Sequence, residues 1–305
     1  MAAVTAQMVK ELREKTGAGM MDCKKALAEV DGDLEAAVDW LRKKGLSTAA
    51  KKASRVASEG KVFVAAKGPR GILVEVNLET DFASKNEKFI RFGEELAQLI
   101  LVQAPKDVDI LKTLPYPGTN RTVAEELTHQ IATIGENMNI RRLAVLETAA
   151  QGLVAPYLHM GGKIGVLVAM ESATQKVTEL TELGKKMAMH VAAAAPSYLD
   201  RKAVPNEALD RERSVLTEQA RSSGKPDNII AKMVEGRLNK YYSEVCFLDQ
   251  PFIMDQDSSV TKVLNAATKD LGSPVRITGF ARFVLGDGIE KEQKNFAEEV
   301  AQQLG

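Results

Sequence analysis

Glu79-Thr80-Asp81-Phe82-Ala83-Ser84-Lys85-Asn86 follows directly on the apolar run Gly71-Ile72-Leu73-Val74-Glu75-Val76. An alternating strand over that run would deliver an acid, a bulky ring and a basic, polar stretch to an exposed strand-to-helix corner. Such corners commonly carry function, because a rigid element holds side chains that water or a partner can reach. An Asp-Phe pair at the tip suits one kind of chemistry: the ring enters another protein's groove while the carboxylate approaches a cation site there. The alternative is structural, with Phe82 folded back beneath the following helix and Asp81 capping it.

Residues for other chemistries are not assembled by spacing. His129, His159 and His190 are far apart in sequence, and no His-x-x-His or Cys-x-x-Cys spacing for a metal occurs. A nucleophile elbow, a phosphate-binding loop and a dinucleotide fingerprint are all missing. Met160-Gly161-Gly162-Lys163-Ile164-Gly165 is glycine-rich but precedes a strand instead of opening a helix, so it reads as a hairpin turn without a dipole to hold phosphate. His159 beside it would be a base only if carboxylates converged on it. Covalent or acid-base catalysis, a bound metal and a cofactor are therefore not expected.

With 305 residues the chain has length for two or three domains. Lys plus Arg and Asp plus Glu both number 41, so overall charge draws the molecule neither to nucleic acid nor to a membrane surface. No apolar run exceeds five residues, against about 20 for a spanning helix. The first ten residues lack the basic and apolar regions of a secretion signal. Cys23 and Cys246 fall in segments assigned to different domains and read as free thiols of a reducing cytosol, hence a cytoplasmic protein.

Residues 1 to about 45 read as three short helices. Thr5 caps the first; Thr16-Gly17-Ala18-Gly19 breaks the chain; Met20 restarts a helix to Val30; Asp33 caps Leu34 to Leu41. Met20 and Met21 cannot both face inward, so at least one lies near the surface, where flexible thioethers suit protein recognition; both could instead complete a small core edge. Residues 43–58 carry five positive charges and no acid, but no aromatics for base stacking, which favours a solvated linker that turns helical.

From Glu59 onward a strand, a corner and a long helix recur. The first copy runs from Gly71 to Ala104-Pro105 and the second from Gly165 to Ala195-Pro196, each after a glycine-rich turn, which suggests a duplicated α+β unit. The second corner has Gln175-Lys176 in place of Asp-Phe. Asp81 and Phe82 are therefore not demanded by the unit's fold. Thr122 and Glu125 form a capping-box signature for a helix with Leu127, Ile131 and Ile134 on one face. A strand is expected over 140–147, and a helical hairpin over 205–242 with its reversal at Ser223-Gly224-Lys225-Pro226 and Ile229, Ile230, Met233, Val234 and Leu238 along its second arm. Strands are expected over 243–252 and 275–285, and a last helix beyond Gly288 with Phe296, Val300 and Leu304 on one face.

Three segments together resemble the bacterial elongation factor Ts family: the stretch from Thr16 to Leu27, Glu79-Thr80-Asp81-Phe82 with Lys85-Asn86, and Tyr157 to Gly165. Asn139 to Arg142, Met187 to Ala193 and Gln250-Pro251-Phe252 agree, in the same order over essentially the whole chain. Ala83-Ser84 departs from the family's usual valine and small residue, and Pro115 to Gly118 lies in a variable region. The resemblance implies guanine nucleotide exchange on elongation factor Tu, by a factor that is not itself an enzyme. It implies an α+β fold with an N-terminal three-helix ubiquitin-associated-like bundle, a core of two related subdomains with antiparallel sheets, an inserted helical hairpin and a C-terminal helix. The boundaries expected are 1–54 for bundle and linker, 55–140 and 141–285 for the subdomains, 205–242 for the hairpin, and 286–305 for the C-terminal module. By the same resemblance Thr80, Asp81, Phe82 and Ala83 enter near the partner's magnesium site, while Met20, Met21, Lys24 and His159 bind the partner. No direct nucleic-acid or membrane contact is implied; a homodimer or a heterotetramer with the partner is compatible. The rival reading is a non-catalytic adaptor that binds proteins through the N-terminal bundle.

Overall fold

Short apolar stripes separated by caps and glycines make the N-terminal segment helical. The computed structural model describes residues 4–290 except Gly17, Ala150 and Ser223. α1 (Ala6–Thr16) begins where the Thr5 hydroxyl accepts from Met8 N–H, α2 spans Met20–Glu29, and α3 (Leu34–Lys52) begins where Asp33 accepts from Glu35 and Ala36. Leu12, Cys23, Ala26, Leu27 and Ala37 close a small core between them. α3 does not end at Leu41. It continues through the basic stretch to Lys52, because Gly45 lies close enough to Ala132 for the helix to rest on the later helix α6 (Val123–Ile134).

β1 (Glu59–Lys67) and β2 (Arg70–Leu78) are hydrogen-bonded neighbours joined by Gly68-Pro69, a connection too short for anything but an antiparallel hairpin; β3 (Met138–Glu147) completes the sheet beside β2. The expected alternation in β2 is not found. Every residue from Gly71 to Leu78 is buried, the pattern of a central strand covered on both faces. α4 (Glu87–Gln103) packs Phe89 and Phe92 inward, and its Gly93 is required: a Cβ there would stand 2.1 Å from the Phe63 ring. α5 (Val108–Thr113) was not foreseen; α6 follows with its capping box formed at Thr122 and Glu125.

The second copy repeats the first. β4 (Gly152–His159) and β5 (Ile164–Glu171) pair antiparallel around the Met160-Gly161-Gly162 turn, and α7 (Val177–Ala194) packs on both. α4 and α7 each end in a left-handed alanine before proline, Ala104 at φ 45° and Ala195 at φ 46°. Each helix also carries a glycine eleven residues before that alanine, and at Gly184 an added Cβ would come within 2.6 Å of Ala155. Such a position is costly for alanine and would not recur by chance in two unrelated units.

α8 (Asn206–Arg221) and α9 (Asp227–Val245) form the hairpin, closed by Leu216, Ala220, Ile230, Val234 and Leu238. Ile229 turns outward, 38% exposed. The strand expected over 243–252 shrinks to β6 (Pro251–Phe252), paired with β7 (Asp255–Ser259). α9 displaces it, and the Gln250 amide takes up the carbonyls of Glu244 and Ala194 at the helix ends. α10 (Val260–Leu271), capped by Ser259 and stopped by left-handed Gly272, was missed. β8 (Arg276–Val284) then lies beside β5. The C-terminal helix expected past Gly288 lies mostly outside the described residues.

The chain divides into two compact units. One takes residues 1–63, 74–143 and 284–305; the other takes 64–73 and 144–283. The mixed helical and antiparallel-sheet architecture is the α+β fold expected, and no helix among the described residues is long and apolar enough to cross a membrane.

Candidate functional site

β2 ends at Leu78, and the chain must then turn before α4. Hydrogen bonds within the turn fix its shape: Ala83 N–H donates to the Thr80 hydroxyl at 3.2 Å, and the Ser84 hydroxyl donates to Asp81 C=O at 2.6 Å. Residues Ala83–Lys85 form a single 3₁₀ turn, after which the Asn86 side chain accepts from Lys88 N–H and starts α4. Ala83 and Ser84 are buried, so the turn is pinned from below.

Phe82 is left outside. It is 84% exposed, the most exposed of the large apolar side chains described, on a segment with little backbone freedom. The structural alternative therefore does not hold: the ring is not under the helix, and Asn86, not Asp81, caps it. Asp81 instead meets Lys85 one turn on, at 3.3 Å, with both side chains largely in water. Such an exposed pair holds weakly, so the carboxylate is available to a stronger cation. The second copy's corner is tied to a different element. Thr174 and Lys176 donate to the carbonyls of Leu271 and Asp270 at 3.0 and 2.7 Å, binding that corner to α10.

The remaining candidates lie elsewhere. Met20 and Met21 are 60% and 75% exposed at the start of α2, one turn from exposed Lys24. His159, in the other unit, stands at the end of β4, its Nδ1 3.1 Å from the Tyr157 hydroxyl; no carboxylate pairs with it among the described residues. Leu158 and Met160 beside it are also exposed, and Met160 has φ 50°. Sequence reasoning passed over both, although an apolar residue immediately before paired glycines was a usable signal for a displayed tip. His190 is no surface group. It is fully buried with its ring between Phe247 and Phe252, its Nδ1 accepts from Ile253 N–H, and its Nε2 therefore carries the proton that goes to Gln250. Burial holds its pKa below the ordinary value. Cys23 and Cys246 are free and buried, and burial pushes the Cys246 thiol up to about 11. No trio of His, Cys, Asp or Glu among the described residues could hold a metal ion.

The profile of the family Elongation factor TS matches residues 79–287, beginning at the acid before the corner. Elongation factor Ts of Magnetococcus marinus is 60% identical over 299 residues, covering 98% of both chains. The proteins of the same name from Paramagnetospirillum magneticum and Rhodospirillum centenum are 58% and 57% identical, each over 310 residues and the whole of this chain. The chain belongs to the elongation factor Ts family. As a member of the elongation factor Ts family it is a translation factor, and its surface displays an aromatic, a pair of methionines and a hairpin tip.

Proposed function

We propose that this protein accelerates GDP release from elongation factor Tu by inserting Asp81 and Phe82 beside the partner's magnesium site. Thr80 and Ala83 form the shoulders of the wedge, and Met20, Met21, Lys24 and His159 add docking contacts. The observation that carries the reading is Phe82: a large ring held in water on a pinned turn, in one copy of a duplicated unit whose other copy has Gln175-Lys176 at the corresponding corner.

A wedge cannot do this alone. Weakening nucleotide binding by about 10⁴-fold requires roughly 5.5 kcal/mol of differential affinity. Burying one Phe side chain contributes about 1.5–3 kcal/mol. Several contacts must therefore favour the nucleotide-free partner, which is why the docking residues belong to the proposal. Coupling is reciprocal, so nucleotide weakens factor binding by the same ratio and one molecule serves many partners in turn. The factor contributes no covalent chemistry, acts in the cytoplasm, and touches a protein instead of nucleic acid or membrane. Its modules in this reading are 1–54, 55–140, 141–285 with the hairpin, and 286–305. The test is release of labelled GDP from elongation factor Tu with this protein far below stoichiometric amounts. Complete release supports catalysis; release no faster than without it would make the protein an adaptor.

A further inference from the structure

The corner that carries Phe82 is bound to a loop 56 residues further along the chain. Both the backbone N–H and the hydroxyl of Thr80 donate to the Glu136 carboxylate, at 2.9 and 2.6 Å. The same hydroxyl oxygen accepts from Ala83 N–H, so the chain of bonds runs from Glu136 through Thr80 to the residue after the ring. Asn137 grips the other side: its N–H donates to Glu79 at 2.6 Å, and its buried side-chain amide donates to Arg55 C=O at 2.7 Å. Arg55 pairs with Glu79 at 3.4 Å, and Lys52 donates to Gly135 C=O. Residues 135–137 thus join the basic stretch that leaves the N-terminal bundle to the corner itself. Two of the five positive charges of that stretch, Lys52 and Arg55, find internal partners here.

Local folding does not call for an acid at 136. α6 is already stopped by left-handed Gly135, and β3 begins at Met138. A carboxylate is, however, the side chain that can accept two bonds from one threonine at once, and charge-assisted bonds of this kind are shorter and stronger than neutral ones. Two bonds to one residue fix its rotation as well as its place. We propose that Glu136 is a positioning residue for nucleotide exchange, holding Thr80 so that Phe82 meets the partner in a single orientation, with Asn137 fastening the same corner to the connector from the bundle. This rests on the wedge reading above. Its benefit is preorganisation: a turn ordered before encounter loses less freedom on binding.

Two measurements on the full chain test it. Amide hydrogen exchange of the free protein reads the clamp directly: in Glu136→Ala the Thr80 N–H should exchange about tenfold faster or more, since a bond to a charged acceptor is lost. In GDP release, Glu136→Ala should slow the catalysed rate by about three- to tenfold, yet add nothing in a Phe82→Ala background, because it acts through that ring. Glu136→Gln, which keeps one acceptor, should fall between. Unchanged Thr80 exchange would overturn the proposal. So would slowing by Glu136→Ala that multiplies with that of Phe82→Ala, the mark of a general loss of stability. If Phe82→Ala alone leaves release unaltered, the wedge reading fails, and the amide measurement still decides whether Glu136 holds the corner.

Discussion

Replacing Phe82 by alanine removes a ring that is 84% exposed in the free protein. If elongation factor Tu covers that exposed fraction, the lost transfer energy is 84% of the value for a whole side chain, about 1.3–2.5 kcal/mol. That corresponds to GDP release slowed by about 8- to 70-fold. The same exposure predicts almost no change in stability, within about 0.5 kcal/mol, as for other surface substitutions. The assay is stopped-flow release of a fluorescent GDP at subsaturating factor, run beside thermal unfolding of both proteins. Phe82→Leu, which keeps an apolar side chain, should recover part of the rate. Slowing of less than twofold would refute the reasoning, and so would a large fall in melting temperature, which would place the ring in the protein's own core.

Further outcomes follow from other parts of the structure. Met20→Ala with Met21→Ala should raise the factor concentration for half-maximal release by about fivefold or more, each side chain losing covered area, with melting unchanged; an unaltered half-maximal concentration would remove the methionines from the docking surface. Glu75 is fully buried on β2, accepts from Gly286 N–H at 2.9 Å and faces Arg141 and Arg142 at 3.1 and 2.6 Å. Burial pushes its pKa up, but the bonds from Gly286, Asn77, Arg142 and Arg141 outweigh it and hold the carboxyl below its ordinary value. Glu75→Ala leaves two arginines facing each other and should cost about 3–5 kcal/mol in urea unfolding; a loss under 1 kcal/mol would contradict the pairing. His190, neutral in the fold, resists a proton that the unfolded chain takes up near pH 6.5. Its contribution is therefore complete above that pH and lost as pH falls through about 6.5 towards the lower folded value. A ring titration by NMR with a midpoint at or above 6.5 would contradict this.

Much of the architecture could be read from local signals, because local physics sets it. Thr5, Asp33 and the Thr122–Glu125 box cap the helices they precede, and the glycine turns lie between paired strands. The failures share a cause: burial and tertiary contacts overrode a local pattern. β2 is buried on both faces, so its alternation disappears. α3 runs on past Leu41 through the basic stretch because α6 supports it. Cys246 and Phe247 look like strand residues but are core residues following a helix. α10 was missed despite a serine cap and a terminal glycine, signals that were present and unused. Within the candidate site, the asymmetry of the two corners was visible in the residues, whereas the bonds from Thr80 to Glu136 link positions with no shared spacing and needed the fold to appear.

The central claim, that the Asp81-Phe82 corner acts on the partner's cation site, is tested most directly by removing the cation. GDP release from elongation factor Tu is measured with and without the factor, in magnesium and after chelation, for the wild type and Phe82→Ala. A cation already removed cannot be dislodged again. The account predicts faster spontaneous release after chelation, a smaller fold-acceleration by the wild-type factor, and a smaller difference between wild type and Phe82→Ala. Equal fold-acceleration in both conditions, with effects of mutation and chelation that simply multiply, would contradict it.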